Sequence, residues 1–263
     1  MRVVLGVEYF GVHYFGWQKQ QEVPSIQAAL EKAIAEVAAH PIEIYCAGRT
    51  DARVHATYQV IHFDTHSNRP LSAWIKGVNA HLPNDIAVMW SQYVVDDFHA
   101  RFSALSRTYR YIIFSSPSRP AILSGGVSHY HYDLHAENMN TAAQYLVGEH
   151  DFSSFRAAHC QSKTPYRNIH HIRVVRQASY IIVEITANAF VYHMVRNIVG
   201  ALIEIGKGDK KIDWMRYLLK EKNRNIAPPT AKPSGLYLVN VCYPKAYHFP
   251  MSALGPVFLS IDN

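Results

Sequence analysis

The chain lacks the features that would mark a membrane or secreted protein. Its hydrophobic runs never approach the roughly 18 residues that a bilayer span requires. Met1-Arg2-Val3 passes directly into an apolar strand pattern, without the basic segment, apolar stretch and cleavage site of a signal peptide. Only three cysteines occur, Cys46, Cys160 and Cys242, odd in number and far apart. They argue against a disulfide framework and for free thiols in a reducing cytosol. Charged residues make up only 17%, with no long charge run, low-complexity tract or short-period repeat. No dinucleotide or phosphate-loop signature appears, and Gly206-Lys207-Gly208 lacks the flanks of a P-loop and reads as a solvated turn. Of the sixteen histidines, His129, His131, His135 and the pair His170-His171 share no ligand spacing with the cysteines or with a His-Glu-x-x-His helix. The expectation is a cytoplasmic protein without metal or cofactor.

What is present points toward a polyanion. The 263 residues are 49% hydrophobic, enough for one large core or two smaller ones. A net charge of +6 and a pI near 9.1 suit a nucleic-acid partner. Seventeen tyrosines and eleven phenylalanines interleave with the basic residues. Aromatic faces that stack bases beside cations that hold phosphates suit single-stranded or looped RNA, although most sheet tyrosines serve packing.

A turn-rich stretch at Ser115-Ser116-Pro117-Ser118-Arg119-Pro120 separates two halves, 1–116 and 117–263. In the first, Arg2–Tyr9 reads as a strand, and Pro24-Ser25 opens a helix with Ile26, Ala29, Leu30, Ala33, Ile34 and Val37 at helical spacing. Strands are expected at Ile42–Ala47, Tyr58–Asp64, Asp85–Tyr93 and Arg107–Ser115, with Ser72 capping a short helix to His81. The second half repeats the order. A helix at Ala136–Leu146 precedes strands at Ile169–Arg176 and Tyr180–Ala187. Helices follow at Tyr192–Ile205 and Ile212–Glu221, and a last strand at Leu236–Tyr243. These groups predict an α+β chain with mostly antiparallel sheets and helices packed on them.

The most informative segment is Ala47-Gly48-Arg49-Thr50-Asp51-Ala52-Arg53-Val54-His55-Ala56, between two apolar runs. Asp51 sits two residues from Arg49 and two from Arg53, with His55 beyond. A carboxylate among cations has its charged form favoured, ready as a nucleophile or an electrostatic partner. Taken alone, Thr50-Asp51 reads as an Asx-turn, with Arg49 capping a strand end. Tyr109 lies at strand spacing with Tyr111, both on one side of Arg107–Ser115. Arg196 shares an otherwise apolar helix face with Val195, Ile198, Val199 and Leu202, where an unpaired cation would be costly to bury. A helix-surface ion pair would also account for it.

The Asp51 loop resembles the signature of the tRNA pseudouridine synthase A family, Gly-Arg-Thr-Asp-Ala-Gly-Val-His-Ala, through Gly48, Arg49, Thr50, Asp51, Ala52, Val54, His55 and Ala56. Arg53 departs from it, standing where the family has a glycine that would tolerate a left-handed backbone. Further blocks match in order. They are Gly16-Trp17-Gln18-Lys19-Gln20, Ser25-Ile26-Gln27, Phe98-His99-Ala100-Arg101-Phe102 and Arg107-Thr108-Tyr109-Arg110-Tyr111, then His150-Asp151-Phe152 and Ser154-Phe155-Arg156. Asn188-Ala189-Phe190, Met194-Val195-Arg196, Gly200, Gly235-Leu236-Tyr237-Leu238 and Tyr243-Pro244 complete the pattern.

The resemblance implies two similar α/β subdomains sharing a mostly antiparallel sheet, with the active cleft between them. It implies isomerisation of uridines 38, 39 and 40 in the anticodon arm of tRNA by a homodimer, with base flipping and no cofactor. It makes Asp51 the catalytic nucleophile, Tyr109 the ring on the target uracil and Arg196 the support of Asp51. Arg49 becomes the residue that fills the vacated stack or steadies the flipped nucleotide. Arg53, His55, Arg101, Arg107, Arg110, Arg156 and Lys163 are candidate RNA contacts. The reaction needs one attacking carboxylate, at C1′ of the ribose or C6 of the base, whereas a glycosidase would present two. A non-catalytic RNA-binding protein is the rival reading, and a nucleoside hydrolase would need a second carboxylate or a metal cluster.

Overall fold

Strand β1 (Arg2–Tyr9) is buried from Val3 to Val7, and both its edges are paired, since it runs between two neighbours in its sheet. The remaining elements are α1 (Ile26–Ala38), β2 (Tyr45–Cys46), β3 (His55–Asp64), α2 (Val78–His81), β4 (Ile86–Val94), β5 (Ser106–Ser115) and β6 (Ser128–Tyr130). They continue as α3 (Ala136–Ala143), β7 (Gly148–Asp151), β8 (Tyr166–Gln177), β9 (Tyr180–Ala187), α4 (Met194–Gly206), α5 (Trp214–Glu221) and β10 (Leu236–Cys242). The computed structural model describes residues 1–251 and 253–259. Among the described residues five α-helices accompany mostly antiparallel strands, and the chain is α+β. Among the described residues no helix is long and apolar enough to cross a membrane.

The chain forms two compact units, one of Met1–Arg107 together with the chain from Tyr237 onward, the other of Thr108–Leu236. The division lies upstream of the turn-rich stretch at 115–120, since most of β5 stays with β9 and β6. The chain also returns to the first unit at its end, where β10 pairs parallel with β3 through Tyr237↔His55 and Leu238↔Ala56. No local pattern announces such a return, because a ladder partner nearly two hundred residues away leaves no periodic trace.

In the first unit the strand order is β4-β1-β3-β10, with β1 antiparallel to β3 and β4, and β2 paired to β3. Helix α1 starts where Ser25 Oγ accepts the Ala28 N–H at 3.3 Å, and it ends at Ala39 in a left-handed conformation. Its face of Ile26, Leu30, Ala33 and Ile34 is buried as the spacing predicts. Glu31 is buried too, and is satisfied by Lys19 Nζ at 3.0 Å and Gln27 Nε2 at 2.8 Å. In the second unit β8 pairs antiparallel with β7 and β9, and α3 packs on β8, α4 and α5.

Several expected boundaries move. Ladder pairing over Ile42–Ala47 is confined to β2, although Ile42, Ile44 and Ala47 are buried. β3 begins at His55 rather than at Tyr58, because His55 is held inside the unit by two rings and a backbone N–H. Ser72 makes no capping hydrogen bond, and the segment after it is a π-turn, Ala73–Gly77, before α2. Helices α4 and α5 begin two residues later than expected, α4 after a left-handed His193. The short strands β6 and β7 carry too few residues for an alternation to show.

His62 on β3 is 2% exposed, accepts the Ala100 N–H on Nδ1 at 3.1 Å and stacks on Tyr45. Burial, aided by the charges of His99 and Arg2, depresses its pKa to about 4. The folded protein therefore refuses a proton that the unfolded chain accepts near pH 6.5. Its stability should fall as pH drops from about 6.5 toward 4, with the slope reduced in His62→Asn, whose Oδ1 can still accept from Ala100. Urea unfolding at pH 7, 5.5 and 4.5 measures this. A flat profile in the wild type would contradict a buried neutral His62.

Candidate active site

Asp51 lies on the loop between β2 and β3 and is half-buried, while Arg49, Ala52 and Arg53 are exposed. Such a loop must satisfy its backbone polar groups from elsewhere, and here side chains of the sheet do so. Gln59 of β3 donates from Nε2 to the Gly48 carbonyl at 2.6 Å and accepts the Gly48 N–H on Oε1 at 3.3 Å. The Tyr9 hydroxyl of β1 shares a buried 2.7 Å hydrogen bond with Thr50 Oγ1, and Gln59 Nε2 also reaches Tyr9 Oη. The Ala47 carbonyl accepts from Arg107 Nη2 at 2.9 Å.

The other side of the loop is held by backbone. Trp17 N–H donates to the Thr50 carbonyl at 3.0 Å, Arg53 N–H to Tyr14, and Val54 N–H to the Asp51 carbonyl. This approach is close enough to demand glycine at Gly16. With φ at 99°, a Cβ there would stand 2.9 Å from the Thr50 oxygen and 3.2 Å from the Asp51 carbonyl carbon. At Gly11 a Cβ would collide with the Val54 carbonyl at 2.0 Å. The Asp51 carboxylate is thus presented on a backbone fixed from both sides.

The matching Gly16-Trp17 block now has a physical reason, which is contact with the loop. Tyr9 and Gln59 were missed as loop supports. The available signal was Gln59 itself, a fully buried polar residue inside the apolar run Tyr58–Phe63.

In the second unit Tyr109 is 8% exposed and meets the Phe190 ring edge-on at 5.0 Å. Tyr111 lies deeper and donates its hydroxyl to Ser128 Oγ and the Lys232 carbonyl, and burial drives its pKa upward. On the other face of β5, Thr108 bonds Thr186 and Arg110 pairs with Glu184 at 2.7 Å. Arg196, in the first turn of α4, is half-buried and donates from Nε to the Ala231 carbonyl at 2.9 Å, while Ala231 N–H returns to the Arg196 carbonyl.

The candidate RNA contacts divide by surroundings. Arg101, Lys163 and Arg53 are exposed. Arg156 is half-buried and donates to the Cys160 and Ser162 carbonyls. Arg107, 9% exposed, donates to the carbonyls of Ala47, Arg101 and Ala104. His55 is fully buried between the rings of Phe10 and Tyr237, each centred 4.6 Å away, and accepts the Gly11 N–H on Nδ1. Among the described residues no three His, Cys, Asp or Glu side chains gather as metal ligands would.

Fold and loop together define a basic α+β protein that presents one carboxylate from a rigid loop. The sequence model of the tRNA pseudouridine synthase family matches residues 6–103 and 142–244. The chain is similar to tRNA pseudouridine synthase A of Haemophilus ducreyi, with 61% identity over 260 residues covering 99% of this chain and 100% of that one. The same-named protein of Vibrio parahaemolyticus is 58% identical over 263 residues, covering 100% and 99%. That of Haemophilus influenzae is 58% identical over 259 residues, covering 98% and 96%. A chain of a Cbf5-Nop10-Gar1 complex aligns with a TM-score of 0.37 and 9% identity over 90% of this chain and 48% of that one, too weak a likeness to carry an argument. The chain belongs to the tRNA pseudouridine synthase family, and it is an isomerase that acts on tRNA.

Arg53 adopts φ 65°, the left-handed conformation that the family's glycine would take without strain. Arg53→Gly should therefore leave the protein as stable or up to about 1 kcal/mol more stable, strain relief offsetting the added unfolded-chain entropy. Arg53→Val, β-branched, should cost about 1–2 kcal/mol. Urea midpoints of the three proteins measure this. A Gly variant less stable than the Val variant would contradict a strained loop residue.

Proposed function

We propose that this isomerase converts uridines 38, 39 and 40 of the tRNA anticodon arm to pseudouridine, with Asp51 as its nucleophile. The observation that carries this reading is the presentation of Asp51, half-buried, on a loop clamped by Tyr9, Gln59 and Trp17. The reaction breaks the bond from C1′ to N1 and forms one from C1′ to C5. The proton on C5 leaves, and N1 takes up a proton. Nothing is oxidised or reduced, so one positioned carboxylate and one acid–base group suffice. Attack at C1′ and attack at C6 both fit a single carboxylate.

In this reading the flipped uracil lies against Tyr109, whose ring stacks and whose phenol moves the C5 proton. Arg196 supports the Asp51 carboxylate, since a planar guanidinium fork matches a carboxylate and keeps it aimed. Arg49 steadies the flipped nucleotide or fills its place. The exposed cations Arg53, Arg101 and Lys163 supply phosphate contacts, which position the RNA without reading it. The enzyme works in the cytoplasm as a homodimer in which one tRNA touches both subunits.

Purified protein incubated with unmodified tRNA transcript, without added cofactor, should form pseudouridine at positions 38, 39 and 40, mapped by carbodiimide labelling. Product elsewhere only, or none, would overturn the assignment. On the same substrate Tyr109→Phe should lower turnover about a hundredfold with tRNA affinity retained. Tyr109→Leu should lose turnover and about tenfold in affinity as well. Near-normal rates in both variants would return Tyr109 to a purely packing role.

A further inference from the structure

In the first unit, the turn His99–Ser103 exposes an aromatic ring that packing does not explain. Phe102 is 75% exposed, on a turn that the structure holds rigid. His99 N–H donates to Ser103 Oγ and Ser103 N–H to the His99 carbonyl, both at 2.9 Å. Arg101 and Phe102 N–H groups both donate to His99 Nδ1, at 3.1 and 3.4 Å. Ala100 is tied at both ends, its N–H to His62 Nδ1 and its carbonyl to the Tyr243 hydroxyl at 2.6 Å. A turn with this many local restraints loses little further entropy when its tip is engaged.

The ring has a built backing. His99 lies 4.3 Å from Phe102, tilted by 35°, and the Arg101 guanidinium carbon stands 5.5 Å from its centroid. His99 in turn meets the rings of His62 at 4.6 Å and Tyr45 at 5.5 Å, the latter 43% exposed. The turn is joined to the Asp51 loop by one side chain, since Arg107 Nη2 donates both to the Arg101 carbonyl at 2.6 Å and to the Ala47 carbonyl at 2.9 Å.

We propose that Phe102, backed by His99 and flanked by Arg101, is a stacking platform for an unpaired nucleobase of the RNA, with Arg101 on that nucleotide's phosphate. The inference rests on the reading of the substrate as tRNA and adds a second point of base contact in the unit that carries Asp51. A base offers a flat apolar face with a phosphate beside it, which a ring and a cation on one rigid turn complement. A second copy of this chain would bury the ring as well, but the adjoining cation favours an anion-bearing partner.

The test uses Phe102→Leu and Phe102→Trp with tRNA transcripts, and an anticodon arm carrying 2-aminopurine at single loop positions. Phe102 is exposed, so neither change threatens the fold. Phe102→Leu should raise KM for tRNA about tenfold with kcat within about twofold, while Phe102→Trp stays near wild type. One 2-aminopurine position should be quenched on binding wild type and Phe102→Trp, and not on binding Phe102→Leu. Unchanged KM and equal quenching in Phe102→Leu would overturn the proposal. So would a fall in mass by light scattering in that variant without a change in quenching, which would make the ring a subunit contact. A wild type that modifies no tRNA would remove the substrate reading, while the fluorescence comparison would still judge the platform.

Discussion

The Asp51 loop has almost no ladder of its own, and its shape depends on polar groups that reach it from the sheet. Gln59 closes both the donor and the acceptor of Gly48, Tyr9 fixes the Thr50 hydroxyl, and Trp17 fixes the Thr50 carbonyl. These partners belong to β1, β3 and the segment before α1, so the Asp51 loop takes form only when the first unit's sheet is assembled. An unpaired buried amide or hydroxyl costs about 1–3 kcal/mol. Removing any one partner therefore disturbs the loop as well as the local stability. A positioned carboxylate gains from this rigidity, because misplacement of a reacting group by even an ångström is costly in rate.

The same constraint explains where the molecule accepts strain and glycine. Gly16 and Gly11 stand where another backbone passes too close for a Cβ, and Arg53 holds a left-handed φ directly after the Asp51–Ala52 step. His55, also in the matched pattern, closes the loop by being buried between two rings while accepting a backbone hydrogen bond. Its conservative chemistry is that of an anchor. Arg107 acts likewise, spending its donors on three carbonyls where a surface arginine would meet phosphate.

Much of the fold could be read from the chain because its long elements are strongly periodic. Helix α1 with its Ser25 cap, strands β1, β4, β8 and β9, and helix α4 follow directly from spacing and capping residues. The parallel docking of β10 on β3 and the short strands β6 and β7 were not legible, since their positions are set by distant partners. At the candidate site the sequence pointed to the loop around Asp51, and its left-handed demand at position 53 is met by Arg53. It could not assign surroundings. Arg107, Arg110 and Arg156 resemble surface cations in sequence, yet the structure holds them on carbonyls or on Glu184. The clamp residues Tyr9 and Gln59 sit within apolar strand runs, where only a buried polar atom distinguishes them.

As the proposed nucleophile, Asp51 performs chemistry and is not there to hold RNA or the loop. Asp51→Asn keeps the size and the backbone and removes the charge, so it tests that claim directly. Single-turnover pseudouridine formation on a tRNA transcript, measured beside equilibrium tRNA binding, should show product lost beyond detection and affinity within a few-fold of wild type. Residual turnover at a tenth of wild type would place the nucleophile elsewhere and contradict the account.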